Sequence, residues 1–359
     1  MCLTKRLSLT LLLIFLAGNV FAQWKVNLNL NHPFIDNPDF INAMEDVVGR
    51  LEDFLNDILS EVPSNPRNLV QGFADASIFA GHGATQRAYG GYDFLAITTG
   101  FMLGLRIPGS FSIAMLDNPE NMINSMGSNS FGLGIQGVNL EAGLHVSKFL
   151  PINRLYAAFR FGYINVNHDF DNFSVNFNNF QIGVLGRYQL VDDISLLLLK
   201  WRGITIGTGL VYQRTGLGFD ILLGDGFTTG PGSYDLLIND PVVHFGMTMS
   251  TFTVPMEITS AVQLLFVINL GMGVGFDMAF GSNELDIGIK NRIFTVFENR
   301  YFGDASVEGG GSMGPIFLLP KLMANFGFKF GPVIIDFPMT YYFGRNHGFS
   351  LGITTGAVF

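Results

Sequence analysis

Cysteine, charge and long apolar runs are all scarce in this sequence, and each scarcity removes a class of protein. The one thiol, Cys2, lies before the apolar stretch of an export signal, so the processed chain is expected to hold no disulfide, thiolate metal site or cysteine nucleophile. Charged residues are 14% of the chain, against roughly 25% in an ordinary soluble domain, which a cytosolic enzyme rarely shows. Nowhere do about 18 apolar residues follow one another, so a helical inner-membrane protein is not expected either. What is abundant points elsewhere. Among 359 residues 44 are glycine and 36 phenylalanine, and 48% are hydrophobic. That excludes disorder, and the glycines recur at spacings of two without the Gly-X-Y period of collagen.

Lys5 and Arg6, the apolar run Leu7 to Ala17 and the small-residue site Val20-Phe21-Ala22 read as a secretory signal peptide over residues 1–22. The next segment is acidic, with nine Asp and Glu against two arginines from Asn31 to Asp75. Asn37-Pro38 sets a capping side chain before a proline suited to the first helical turn. Phe40, Met44, Val47, Leu51, Phe54, Leu55, Ile58 and Val62 come after it at steps of three and four. An amphipathic helix is expected from Pro38 to Val62, ended by Pro63. Ser64-Asn65-Pro66 then opens a second, shorter helix carrying Leu69, Phe73, Ala76 and Phe79. Residues 23–90 read as a helical plug or hatch inserted into the remainder of the chain, with a small separate helical subdomain as the alternative.

From Tyr92 the period becomes two. Ile268, Leu270, Met272, Val274, Phe276, Met278 and Phe280 alternate with Asn269, Gly271, Gly273, Gly275, Asp277, Ala279 and Gly281. Ala324, Phe326, Phe328 and Phe330 repeat the pattern, as do Ile204, Ile206 and Leu210. Runs at Leu95 to Arg106, Gly132 to Ser147, Leu155 to His168, Phe173 to Leu190, Val242 to Val254, Val333 to Gly344 and Gly348 to Phe359 show it less cleanly. Some of these switch phase midway, which suggests bulges. The polar sides are Gly, Asn, Ser and Thr where a soluble sheet would carry Lys, Glu and Arg, and several runs reach the roughly 9 to 11 residues that cross a bilayer at a tilt. In hydrocarbon only helices and closed barrels satisfy the backbone. The expected fold is all-β: a transmembrane antiparallel β-barrel of about 12 to 14 strands over residues 91–359, with the N-terminal helical plug. Asp117 to Ser130, Asp225 to Asp240 and Asn283 to Met313 have the composition of extramembrane loops.

Enzymatic motifs are weak. Gly348-Phe349-Ser350-Leu351-Gly352 matches a nucleophile elbow, and Gly132 to Gly137 matches G-x-G-x-x-G, but neither is followed by the helix its chemistry requires. The six histidines have no paired ligand spacing. Acidic pairs such as Glu45-Asp46 and Glu52-Asp53 fit a solvated helical face. No catalytic residue, metal or cofactor is expected, and no nucleic-acid partner.

More informative are Arg106, Arg160, Arg187 and Lys329, whose strand phase puts them opposite the lipid face, where a charge near the midplane would cost about 2–4 kcal/mol. One reading pairs them within the lumen with Asp277, Asp336 or Glu141, or sets them at headgroup level. The other has some of them meet the carboxylate of an anionic amphiphile, with Phe94 and Met102 as apolar lumen neighbours. At the chain end Phe349, Leu351, Ile353, Ala357 and Phe359 share one face. A last strand ending on Phe359 resembles the signal read by the barrel assembly machinery of bacterial outer membranes.

The N-terminal helical segment opening on Asn-Pro, the glycine-rich barrel, the terminal Phe359 and the stretch Phe73-Ala74-Asp75-Ala76-Ser77 through Gly83-Ala84-Thr85-Gln86-Arg87-Ala88-Tyr89 together resemble the outer-membrane long-chain fatty acid transporter (FadL-type) superfamily, most closely its divergent spirochaete members. The resemblance implies a barrel of about 14 strands closed by an N-terminal hatch that shifts to pass hydrophobic compounds. The hatch segment of the family, usually Asn-Pro-Ala, stands here as Asn65-Pro66-Arg67 or Asn37-Pro38-Asp39. Asn65, Pro66, Arg67, Phe73 and Phe79 are accordingly the candidate gating residues. The expected function is uptake of hydrophobic or amphipathic small molecules, long-chain fatty acids foremost, across an outer membrane whose lipid the barrel contacts. A surface adhesin or structural barrel is the alternative, and a general porin comes third.

Overall fold

A strand with apolar residues on one face and glycine or polar residues on the other has two surfaces to cover and a row of backbone donors to satisfy. A closed ring of such strands does both. The computed structural model describes residues 25–30, 49, 66–81, 95–107, 132–146, 152, 154–170, 173–222, 227–229, 236–295, 301–343 and 347–359. Its elements are β1 (Lys25–Leu30), α1 (Pro66–Gly81), β2 (Leu95–Ile107), β3 (Gly132–His145), β4 (Leu155–Phe170), β5 (Phe173–Val191), β6 (Ile194–Leu196), β7 (Leu199–Leu222), β8 (Phe227–Thr229), β9 (Leu236–Leu264), β10 (Ile268–Thr295), β11 (Tyr301–Met313), β12 (Leu318–Phe330), β13 (Val333–Tyr342) and β14 (His347–Val358). No described helix is long and apolar enough to cross a membrane.

The described strands form one fourteen-stranded antiparallel sheet, the all-β antiparallel barrel expected, although the expected 12 to 14 counts strand segments that do not all enter the ring. Ten of them close the ring, in the order β2-β3-β4-β5-β7-β9-β10-β12-β13-β14 and back to β2. Leu95 and Phe359 exchange two backbone hydrogen bonds at the seam, so the terminal residue takes part in closure. β11 continues β12 along β10 in the same register, Met278 facing Leu318 and Asn283 facing Met313. β1 adds to the far edge of β11. It falls inside the segment 23–90 expected to be helical plug, and Lys25–Leu30 is instead a strand, its Val26, Leu28 and Leu30 alternating with asparagine and lysine. The expected helix Pro38 to Val62 lies outside the described residues apart from Gly49. The second helix begins at Pro66, as its start signal predicts.

One end of the barrel has tight turns, at 197–198, 265–267 and Gly331-Pro332, and the other has the longer connections 108–131 and 223–235, as in outer-membrane barrels. From the tight-turn end upward, outward positions are apolar and exposed. Leu270, Met272, Val274, Phe276 and Phe280 do this on β10, and Phe159, Phe161 and Tyr163 on β4. This belt matches the roughly 25 Å apolar band of a transmembrane barrel. β7, β9 and β10, at 24, 29 and 28 residues, run well beyond it.

Above the belt the chemistry of the two faces reverses. Inward residues become apolar, with Val243, Phe245, Met247, Met249, Leu285 and Ile287 buried, and outward ones include Glu284 and Asp286. The ladder between β9 and β10 keeps one register from Ile268–Leu264 through Lys290–Val242. The phase switch in the Val242 to Val254 run is therefore a change of surroundings, from bilayer to water, and not a bulge. Bulges occur elsewhere, between Gly100 and Met102, Gln189 and Val191, and Trp201 and Ile204. The same reversal corrects the loop expectation for Asn283 to Met313, most of which is paired strand.

The turn joining β9 to β10 is unusual. Leu265 and Phe266 have φ of 50° and 62°, and Val267 N–H donates to Leu264 O. Left-handed backbone at two bulky central residues is a strained hairpin turn where Asn-Gly would be usual.

The belt yields a test. Val184→Arg, outward on β5 within the belt, should destabilise the barrel in vesicles by about 2–4 kcal/mol. Asn165→Arg, exposed on β4 beyond the aromatic end of the belt, should cost about 0–1 kcal/mol by the same depth rule. Equilibrium unfolding in lipid measures both, and equal costs would contradict this placement of the bilayer.

Candidate functional site

Three layers fill the lumen. At the long-connection mouth lies α1, with every residue from Gly72 to Gly81 buried, as befits a helix enclosed by a wall and not laid on one by a single stripe. Glycine makes the close approach possible. A Cβ at Gly104 or Gly134 would overlap the Ala76 carbonyl, and one at Gly132 would overlap that of Gly72.

The buried polar groups of α1 are answered from the wall. Asp75 forms an ion pair with Arg106 of β2 at 2.7 Å, and accepts hydrogen bonds from Gln71 at 3.1 Å and from Ile316 N–H at 3.4 Å. Gln213 of β7 donates to Ser77 Oγ at 2.9 Å, and the Ser77 and Thr215 hydroxyls are 3.1 Å apart. The last carbonyls of a helix have no partners within it. Here Gln136 of β3, at 2.8 Å, and Gln181 of β5 both donate to Gly81 O. Phe79 stacks on Tyr342, ring centres 4.1 Å apart.

Below the plug is a charged layer. Arg160 meets Glu141 at 3.0 Å, directly across the β3–β4 ladder. Lys321 meets Glu257 at 2.5 Å and Asp277 at 2.7 Å. Cross-strand pairing sets out a row Arg187–Gly207–Glu257–Gly275–Lys321–Tyr342, in which the glycines leave room for long charged side chains to lean together. Cations Arg160, Arg187 and Lys321 are thus balanced by Glu141, Glu257 and Asp277, all buried. Such charges are tolerated in a dry interior only when paired. Toward the tight turns, Ala96, Tyr156, Ala158, Leu185, Val211, Ile334 and Val358 form an apolar cluster, beside which Arg202 is buried and donates to Gln263 at 2.8 Å.

The predicted lumen cations divide. Arg106 and Arg160 are each paired with a carboxylate, Arg187 joins the charged row, and Lys329 lies beside the tight β12–β13 turn. Of the carboxylates named from sequence, Glu141 and Asp277 are ion-paired, and Asp336 accepts a hydrogen bond from Asn325 at 3.3 Å. Met102 is fully buried on the inner face of β2, and Phe73 and Phe79 are buried on α1. Pro66 and Arg67 open α1, whereas Asn65 and Phe94 lie outside the described residues. Sequence reasoning passed over Asp75, Glu257, Lys321 and the glutamines Gln136, Gln181 and Gln213. Glu257 and Lys321 stand close to Pro255 and Pro320, which made those strands look finished too early.

The sequence pattern described as Lsa36-like matches residues 37–359. The chain belongs to the Lsa36-like family. None of the curated proteins compared with it matches. Among solved structures it is similar to the translocator domain of the autotransporter NalP from Neisseria meningitidis, at 11% identity over 89% of this chain and 98% of that one, with a TM-score of 0.33. The toluene transporter TodX of P. putida is 10% identical over 81% of this chain and 99% of its own, TM-score 0.28. A FadL homologue of Pseudomonas aeruginosa is 9% identical over 81% and 98%, TM-score 0.26. Likeness at this level carries no functional weight, and the fold of this Lsa36-like chain rests on its own strand pairing.

Removing one member of the charged layer tests its role. Lys321→Met strands Glu257 and Asp277 without their shared cation, and should lower barrel stability by about 3–5 kcal/mol. Urea unfolding in vesicles reads this, and an unchanged midpoint would show that the layer is not held by charge pairing.

Proposed function

We propose that this protein is an outer-membrane channel for uptake of hydrophobic or amphipathic small molecules, long-chain fatty acids foremost, and that α1 is its gate. The observation that carries the reading is that α1 fills the lumen mouth through non-covalent contacts alone, with the Asp75–Arg106 pair as its one charged fastening among the described residues. The carboxylate of an amphiphile is chemically equivalent to that of Asp75. Such a ligand would compete for the Arg106 guanidinium through charge-assisted hydrogen bonds, its alkyl part lying near Met102, and α1 would be released. Arg160 and Arg187 offer further cationic positions deeper in the barrel. Passage is downhill, with no catalytic step.

Other features support the same reading. The apolar belt and the export signal fit an outer-membrane location. The Phe359 seam offers the assembly machinery a paired terminal strand. The sequence resemblance to FadL-type transporters, carried by the stretch Phe73 to Tyr89, suggests the ligand class. A second reading, a surface barrel that contacts neighbouring molecules, is favoured by the polar exterior of the β9–β10 extension above the belt.

Asp75→Asn should raise leak conductance in planar bilayers and fluorescent fatty-acid entry into vesicles at least tenfold, equivalent to about 1.4 kcal/mol in the closed-to-open balance. Unchanged conductance would remove α1 as a gate. If trimming the extension abolishes cell attachment while fatty-acid entry stays at the level of empty vesicles, the surface reading replaces the transport one.

A further inference from the structure

The outer wall has a feature that the transport reading does not use. Cross-strand register lines up Ile204, Ser260, Met272, Ala324, Met339 and Leu351 as one outward row across β7, β9, β10, β12, β13 and β14. A parallel row runs from Ile258 through Val274 and Leu322 to Tyr341. Along these rows lies a depression of about 830 Å³, a volume within the usual range of small-molecule sites, roughly 300–1,000 Å³. Five inter-strand steps of about 4.8 Å make it about 24 Å long. Ser260 and Ala324 keep its floor low between the larger Met272 and Met339, whose flexible thioethers adapt to an irregular occupant.

The groove crosses the belt obliquely. Its β7 end, at Ile204, lies near the tight-turn boundary, where β7 begins at Leu199, and its β14 end, at Leu351, lies near the opposite boundary, where β14 begins at His347. Each end carries an amphipathic aromatic of the kind that sits at headgroup level. Trp201 Nε1 donates to Ser260 Oγ at 2.9 Å. The Tyr341 hydroxyl and His347 Nδ1 are 3.3 Å apart and exposed.

We propose that this groove is a specific site for one acyl chain of a membrane phospholipid, with the headgroup phosphate held at Tyr341 and His347. The occupant is dictated by the setting. The groove is continuous with the lipid-facing belt, its walls are apolar, and one leaflet's chains span about half of the roughly 30 Å hydrocarbon core, so it can take a whole chain. The hydroxyl and imidazole at its outer end supply donors for a phosphate. This inference rests on the membrane-facing wall and is independent of gating by α1.

Native mass spectrometry of the full-length barrel, delipidated and then offered palmitoyl-oleoyl phosphatidylethanolamine, tests it. The wild-type barrel should keep one phospholipid. Ala324→Phe, which fills the floor, should cut the retained fraction at least fivefold, whereas Ala142→Phe, outward on β3 away from the groove, should leave it unchanged. In a Trp24→Phe background, Trp201 fluorescence should be quenched by brominated-chain phospholipid at least twofold more than in the same protein carrying Ala324→Phe. No retained lipid, equal retention by the two alanine variants, capture of free palmitate in place of phospholipid, or a second barrel copy occupying the face would each overturn the proposal.

Discussion

Among the described residues the ring is ten strands around, and the charges on its inner face have to be answered within it. A barrel of this girth is close to the size at which side chains fill the interior, so bulk water cannot be relied on to solvate Arg160, Lys321 or Glu257. Pairing is the remaining solution. The ladder brings it about by setting Arg160 opposite Glu141 and by spacing Arg187, Glu257 and Lys321 with glycines. The layered lumen results from that requirement: helix at the mouth, ion pairs at the middle, and toward the far end an apolar cluster with Arg202 held by Gln263.

The same period-two pattern serves two solvents. Within the belt, β9 and β10 turn apolar residues outward to lipid and keep Glu257 and Asp277 inside. A few residues further on, in unbroken register, they turn Glu284 and Asp286 outward and bury Phe245 and Leu285. Side-chain direction is constant while the preferred chemistry of each face reverses, and the bilayer boundary is written into two continuous strands.

Much of this was legible from sequence, because alternation survives without knowledge of neighbours. The strand starts at Leu95, Gly132, Leu155, Phe173, Ile268 and Val333, and the inward phase of Arg106, Arg160 and Arg187, come from period two alone. So does the Pro66 start of α1 from its capping signal. What was hidden depended on partners. Pro255 and Pro320 normally end a strand, yet here both lie opposite neighbouring residues of β10, Asp277 and Phe276, where the flanking ladder carries the chain past them. Asp75 looked like one more acid in an acidic segment until the folded barrel set Arg106 against it. Gly104, Gly132 and Gly134 stood in the sequence only as members of alternating runs, whereas their role is to admit a helix backbone.

The β9–β10 turn is tied to the hairpin beside it. Leu265 and Phe266 hold left-handed torsions that bulky side chains resist, so the corner draws support from outside its own residues. Leu265 N–H donates to Leu198 O in the neighbouring hairpin, and that bond supplies the support from outside. The two tight turns, at 197–198 and 265–267, therefore share one fastening at the rim of the barrel.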